Sequence, residues 1–209
     1  QDDQEVASAP TQTAAAPGRF RYQDTDGDGV ITAEDRVHLG HPNPDFTYGL
    51  TLGLDYKGFD FSANFYGSQG AELFNAVKAY THFVQAYKEQ KSNDLKNAWT
   101  PENRNTNIPK IETVSTFSTN GTSSSFFIED GSYLRLRSLM LGYTVDPSLL
   151  NKFGIERLRL YTQATNLFTL TGYSGPDPEL GGSAASFGGD YGAYPNNDVT
   201  LIFGLNVTF

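Results

Sequence analysis

Asp24, Asp26 and Asp28 alternate through the stretch D-T-D-G-D-G-V-I-T-A-E-D (24–35), with Gly29 following them and a further carboxylate at Asp35. Carboxylates at loop positions 1, 3, 5 and 12 with glycine at position 6 are the spacing of an EF-hand calcium loop. A hard divalent cation takes about six to eight oxygens, and alternate side chains of one tight loop can supply them. The expected ligands are the carboxylates of Asp24, Asp26, Asp28 and Asp35 and the carbonyl of Val30. Thr32 stands where a water often bridges to the ion. Position 12 is Asp35 rather than the bidentate glutamate of an EF-hand, and no long amphipathic helix precedes the loop. The loop is therefore read as a structural calcium site rather than a sensor. The alternative is an Asp/Gly-rich turn that holds no ion.

No other cluster has the spacing of a reactive site. His38, His41 and His82 show no metal-ligand interval and no adjacent nucleophile. Glu129 and Asp130 are neighbours at a strand entry, so they point to opposite sides and are poorly placed as an acid/base pair. Both are expected to be local hydrogen-bond acceptors. The chain has no Cys, which excludes disulfides and thiol chemistry. With 15 Lys+Arg against 24 Asp+Glu, its net charge of −9 argues against a nucleic-acid footprint. An enzyme is the least favoured class.

The elements that carry this loop are strands. Phe46–Tyr56 alternates without interruption, placing Phe46, Tyr48, Leu50, Leu52, Leu54 and Tyr56 on one face and Thr47, Gly49, Thr51, Gly53 and Asp55 on the other. Aromatics at both ends with leucine between them are the pattern of a lipid-facing barrel strand. Asp55-Tyr56-Lys57-Gly58 reads as a tight turn into a second strand, Gly58–Gly67. A third strand is expected over Ser132–Val145, where the apolar parity switches between Leu136 and Leu139. A switch needs an extra residue, so a β-bulge is predicted near Arg137–Ser138. Ile155–Leu170 is the fourth strand. The last, Val199–Phe209, carries Leu201, Phe203, Leu205, Val207 and Phe209 on one face. Arg135, Arg137, Arg157, Arg159 and Gln163 are expected on the polar, inward face, where their simplest role is hydrogen bonding within the protein.

Between the strands lie long excursions. Residues 71–90 repeat apolar side chains at three- and four-residue spacing and predict an amphipathic helix. Thr113–Ser125 is rich in Ser, Thr and Asn, and 171–197 in Gly, Pro and Tyr, both loop compositions. Residues 1–18 lack aromatics and read as a flexible or disordered lead-in. Connections alternate short (55–58, 147–154) and long (68–131, 172–197). Outer-membrane barrels have short periplasmic turns and long extracellular loops. That assigns the calcium loop to the cell exterior and Phe209 to the periplasm. No run of about 18 apolar residues exists to make a transmembrane helix, which leaves the β-barrel reading intact.

Several stretches together resemble the C-terminal end of SusC/RagA-type TonB-dependent transporters of Bacteroidetes outer membranes. They are DTDGDGVITAEDRVHLGHPNPDFTYGL, YKGFDFSANFYGSQG, WTPEN, FFIEDGSYLRLRSLMLGYT, GIERLRLY, NLFTLTGYSGPDPE and the terminal Phe. The resemblance covers residues 19–209. It implies an all-β fold: C-terminal strands of a large antiparallel transmembrane barrel of about 22 strands with a plugged lumen. It also implies nutrient import in the Gram-negative outer membrane, in contact with its lipid. The implied partners are a SusD-like surface lipoprotein, the rest of the barrel and plug, TonB–ExbBD, and an oligosaccharide or peptide cargo.

The sequence departs from that family in showing five strands, no plug and no TonB box. Open strand edges cannot face lipid, so the expectation is a C-terminal piece of a longer transporter, or a chain completing a barrel supplied by others. The competing reading is a soluble calcium-stabilised β-domain, dockerin-like or glycan-binding. Only one loop is present where dockerins pair two.

Overall fold

The structure is a computed structural model that describes residues 2–86, 88, 90–120, 124–183, 186–192 and 197–209. The chain divides into two compact units: residues 1–40, 73–129 and 189–192 in the first, and 41–72, 130–188 and 193–209 in the second.

The second unit is built on a five-stranded antiparallel sheet. β1 (Phe46–Tyr56) pairs β2 (Phe59–Gln69), β2 pairs β5 (Tyr133–Thr144), β5 pairs β6 (Arg157–Thr171), and β6 pairs β8 (Thr200–Thr208). A short helix α3 (Pro147–Leu150) lies in the β5–β6 connection, capped by the Asp146 carboxylate on the Ser148 amide. The turn between β1 and β2 has two residues, Lys57 and Gly58, both at positive φ (47° and 84°). That is the primed geometry whose twist matches the flanking strands. A side chain at 58 would also press on the Thr144 carbonyl, 2.7 Å from where its Cβ would stand.

Register then sorts the side chains. Directly paired residues share a face, so Leu54, Phe61, Leu141, Thr162 and Phe203 form one row across all five strands. Tyr56, Phe59, Tyr143, Leu160 and Leu205 form the next, with the Phe59 and Tyr143 rings 4.6 Å apart. The opposite face carries rows such as Thr51, Asn64, Ser138, Thr165 and Thr200. The bulge predicted at Arg137–Ser138 is present. Asn64 pairs Ser138 while its neighbour Phe65 pairs Leu136, so Arg137 is the extra residue. It keeps Leu134 and Leu136 on the same side as Leu139, Leu141 and Tyr143. On β6 the same level holds Asn166 at φ 52°.

The apolar face is not a core. Leu54 is 64 % exposed, Leu201 59 % and Phe203 79 %, and no layer covers them among the described residues. The five-stranded fold class read from the sequence is what the structure has.

The first unit is irregular. It contains α1 (Asp3–Ala7) and α2 (Val77–Thr81). A small sheet runs in the order β4 (Ile128–Asp130), β3 (Glu72–Asn75), β7 (Gly189–Asp190). Its centre is aromatic: Phe20, Phe83, Phe126 and Phe127 contact one another with ring centroids 5.4–6.0 Å apart.

Two expectations are corrected here. The helix predicted over 71–90 is confined to Val77–Thr81. Residues 72–75 pair as β3 instead, in parallel with Gly189–Asp190. The apolar repeat serves several neighbours rather than one stripe: Phe74 meets Phe127, and Phe83 meets Phe126. Tyr87, part of that repeat, lies outside the described residues. The lead-in at 1–18 is also structured. Thr11 forms a parallel bridge with Val30. Gln12 donates to the Phe20 carbonyl (2.7 Å) and Ser118 Oγ (2.6 Å) and accepts from the Tyr22 amide (2.9 Å). Polar bonds hold this segment, which a composition lacking aromatics does not reveal.

Candidate functional site

The loop 24–35 is shaped by its own carboxylates. Asp24 accepts from the Gly27 amide at 2.7 Å and the Gly29 amide at 2.9 Å. Asp26 accepts from the Asp28 amide at 3.1 Å and Asp28 from the Val30 amide at 2.7 Å. Such side-chain turns are what Asp offers a tight loop. Gly27 and Gly29 take φ of 79° and 84°. As a result Asp24, Asp26 and Asp28 each present a carboxylate oxygen, all within 4.8 Å of one another.

Asp35 is not brought into that group. Its oxygens accept from the Thr25 and Thr32 amides, each at 2.7 Å, and these two bonds hold its carboxyl below the usual carboxylate range. The Val30 backbone is fixed from both sides, since Thr11 donates to the Gly29 carbonyl at 2.8 Å and accepts from the Ile31 amide at 2.9 Å. Of the five sequence-derived ligands, three converge, Val30 is held in the loop wall, and Asp35 closes the loop by hydrogen bonds.

The first unit also carries an open cavity of about 1400 Å³, with Trp99, Phe117, Arg36, Lys78 and Arg104 in its lining. Lys78 is paired with Glu129 at 2.8 Å and Arg104 with Asp2 at 3.8 Å. Glu129 and Asp130 behave as the acceptors expected, Asp130 taking the Ser132 amide at 2.8 Å. Burial pushes the His82 imidazole below its ordinary pKa despite the Asp94 carboxylate at 3.3 Å. The Thr81 hydroxyl lies 3.0 Å from His82 Nδ1 and also donates to the Val77 carbonyl at 3.1 Å, an i,i+4 bond within its own helix.

In the second unit the polar face of the sheet is crossed by ion pairs. Arg159 binds Asp60 through two bonds, Nε to Oδ1 at 3.0 Å and Nη2 to Oδ2 at 2.5 Å. Arg135 and Arg137 both reach Glu179. Of the inward arginines read from the sequence, Arg157 is exposed, while Arg135, Arg137 and Arg159 are thus bound within the protein. Their partners Asp177 and Glu179, some 40 residues away in the chain, left no signal in local spacing.

No protein-family model matches the chain. It is 39% identical over 201 residues to the TonB-dependent receptor P3 of Formosa agariphila, covering 92% of this chain and 19% of that protein. To the TonB-dependent receptor SusC of Bacteroides thetaiotaomicron it is 29% identical over 194 residues, covering 90% and 17%. Among solved structures, the RagAB peptide transporter superposes with a TM-score of 0.70 at 30% identity, over 89% of this chain and 20% of that one. The chain spans about a fifth of the length of the curated relatives it matches. These similarities fall on a sheet whose register separates an exposed apolar face from a polar one. The chain belongs to the SusC/RagA-type TonB-dependent transporters of the outer membrane, as part of their C-terminal barrel region.

Proposed function

We propose that this chain forms part of the wall and loops of a TonB-dependent importer. Its cargo is an oligosaccharide or peptide, and it works with a SusD-like surface lipoprotein. TonB–ExbBD would drive the cycle through the N-terminal part of such a protein. The peptide class gains weight from the likeness to the RagAB peptide transporter. The observation that carries the reading is the register of the five-stranded sheet, which lays Leu52, Ala63, Leu139, Ala164 and Leu201 along one row facing away from Thr51, Asn64, Ser138 and Thr165. In a barrel wall that arrangement faces lipid on one side and a wet lumen on the other.

Calcium is the second part of the proposal. Asp24, Asp26 and Asp28 supply a hard, anionic oxygen set, and three carboxylates this close repel one another unless a cation sits among them. The Val30 carbonyl and Asp35 complete the ligand set of the motif, Asp35 by leaving one of its amide partners. The ion would lock the loop that Thr11 grips and would take no part in bond making.

Thiol labelling tests the wall reading, because this chain has no cysteine of its own. In the complete transporter in outer membranes, S62C and Q163C should react with a water-soluble, charged maleimide, while L52C and L201C should resist it. Labelling of the second pair as fast as the first would overturn the assignment of faces.

A further inference from the structure

The connection from β6 to β8 does not leave the sheet at once. Tyr173 and Asp177 are buried, at 6 % and 7 % exposure, and the residue that holds Asp177 is Arg135. Its guanidinium, 2 % exposed, donates to Asp177 at 2.6 Å, to Glu179 at 2.8 Å and to Thr169 Oγ1 at 2.9 Å. Asp177 also accepts from the Glu179 amide (2.8 Å) and Asn197 Nδ2 (2.9 Å). Arg137 binds the other oxygen of Glu179 at 2.5 Å and stacks over the Tyr66 ring at 4.5 Å.

Arg135 lies on the polar face, where its row mates are Gly49, Tyr66 and Thr169. Gly49 and Thr169 give a guanidinium little cover; the Tyr133 ring, 5.4 Å from it, shields one side, and the acidic groups of the returning segment close over the rest. A buried charge whose partner is removed is left uncompensated, which makes such pairs strong positional devices even where they add little net stability.

We infer that residues 172–180 form a strap latched onto the polar face by Arg135, a fixed lining of the passage rather than a free surface loop. Arg135 is the positioning residue and Asp177 and Glu179 are the strap's catch. The latch stands on these contacts alone; that the face it covers lines a passage rests on the proposed function.

Hydrogen exchange on the complete, membrane-embedded protein tests it. In R135M and, from the strap side, in D177N/E179Q, peptides spanning 172–180 should exchange at least tenfold faster, with β5–β6 ladder amides at Leu139–Leu141 unchanged. R135K should fall between, since an ammonium cannot make the same bidentate reach. Unchanged strap exchange in both variants overturns the latch, as does equal loosening of the ladder, which would make the cluster a general strut. A failed latch leaves the S62C and L52C labelling pattern intact, whereas a failed wall assignment reverses that pattern and leaves the strap's response to R135M in place.

Discussion

Asp60 and Arg159 join β2 to β6 across the intervening strand, with Gly142 of β5 lying beneath the pair. A Cβ at 142 would run into the Asp60 carboxylate and the Arg159 guanidinium. The side chains are only 17% and 25% exposed, so the bonds are charge-assisted and partly shielded. D60N should cost about 1–3 kcal/mol of unfolding free energy. G142A should cost a similar amount by displacing the pair. Urea unfolding in detergent micelles or vesicles would measure both.

Lysine on the two faces should behave oppositely. At Leu52, midway between the aromatic ends of β1, it should cost about 2–4 kcal/mol, the penalty for a cation near the bilayer midplane. At Thr51 or Ser62 it should cost far less. Reversible folding into lipid vesicles reads out the difference, and equal penalties would contradict the assignment of faces.

Metal removal should loosen the loop and what grips it. Chelation, or D26A, is expected to increase protease cleavage around residues 24–35 and to weaken Thr11–Val30 pairing, seen as faster amide exchange at Ile31. Metal analysis of the purified protein should find calcium that D26A binds about tenfold more weakly or worse. D35E should bind more tightly than the parent, because the longer carboxylate can reach the ion bidentately.

His82 gives the first unit a pH dependence. Its folded pKa is lowered by burial, so the unfolded chain takes up the proton first. The stabilisation is complete above the ordinary value of 6.5 and declines as pH falls below it. Exchange of the 77–86 segment should accelerate on going from pH ~7.5 to ~5.5, and H82N should flatten that slope.

What could be read from the chain was whatever repeats locally. β1, β2 and β8 announce themselves because lipid on one side enforces strict alternation, and the Arg137 bulge shows as a change of parity. The converging carboxylates of the loop 24–35 were legible as spacing, but not the direction of Asp35, which depends on the Thr25 and Thr32 amides. The repeat at 71–90 misled because three- and four-residue spacing also suits β3 followed by one short helical turn, each docked on a different aromatic neighbour. Gln12 and Arg135 were opaque for another reason. Each organises its surroundings through polar bonds to residues far along the chain, and composition holds no record of such partners.

The inserted residue at Arg137 lets a single strand be written in two phases, even-numbered oily positions before it and odd-numbered ones after. Any profile that assumes one fixed period cancels itself across this strand. The same feature sets which length errors the strand tolerates. Losing the one extra residue leaves a strand of single period with both oily sets still on one face, while losing two turns half its side chains inside out.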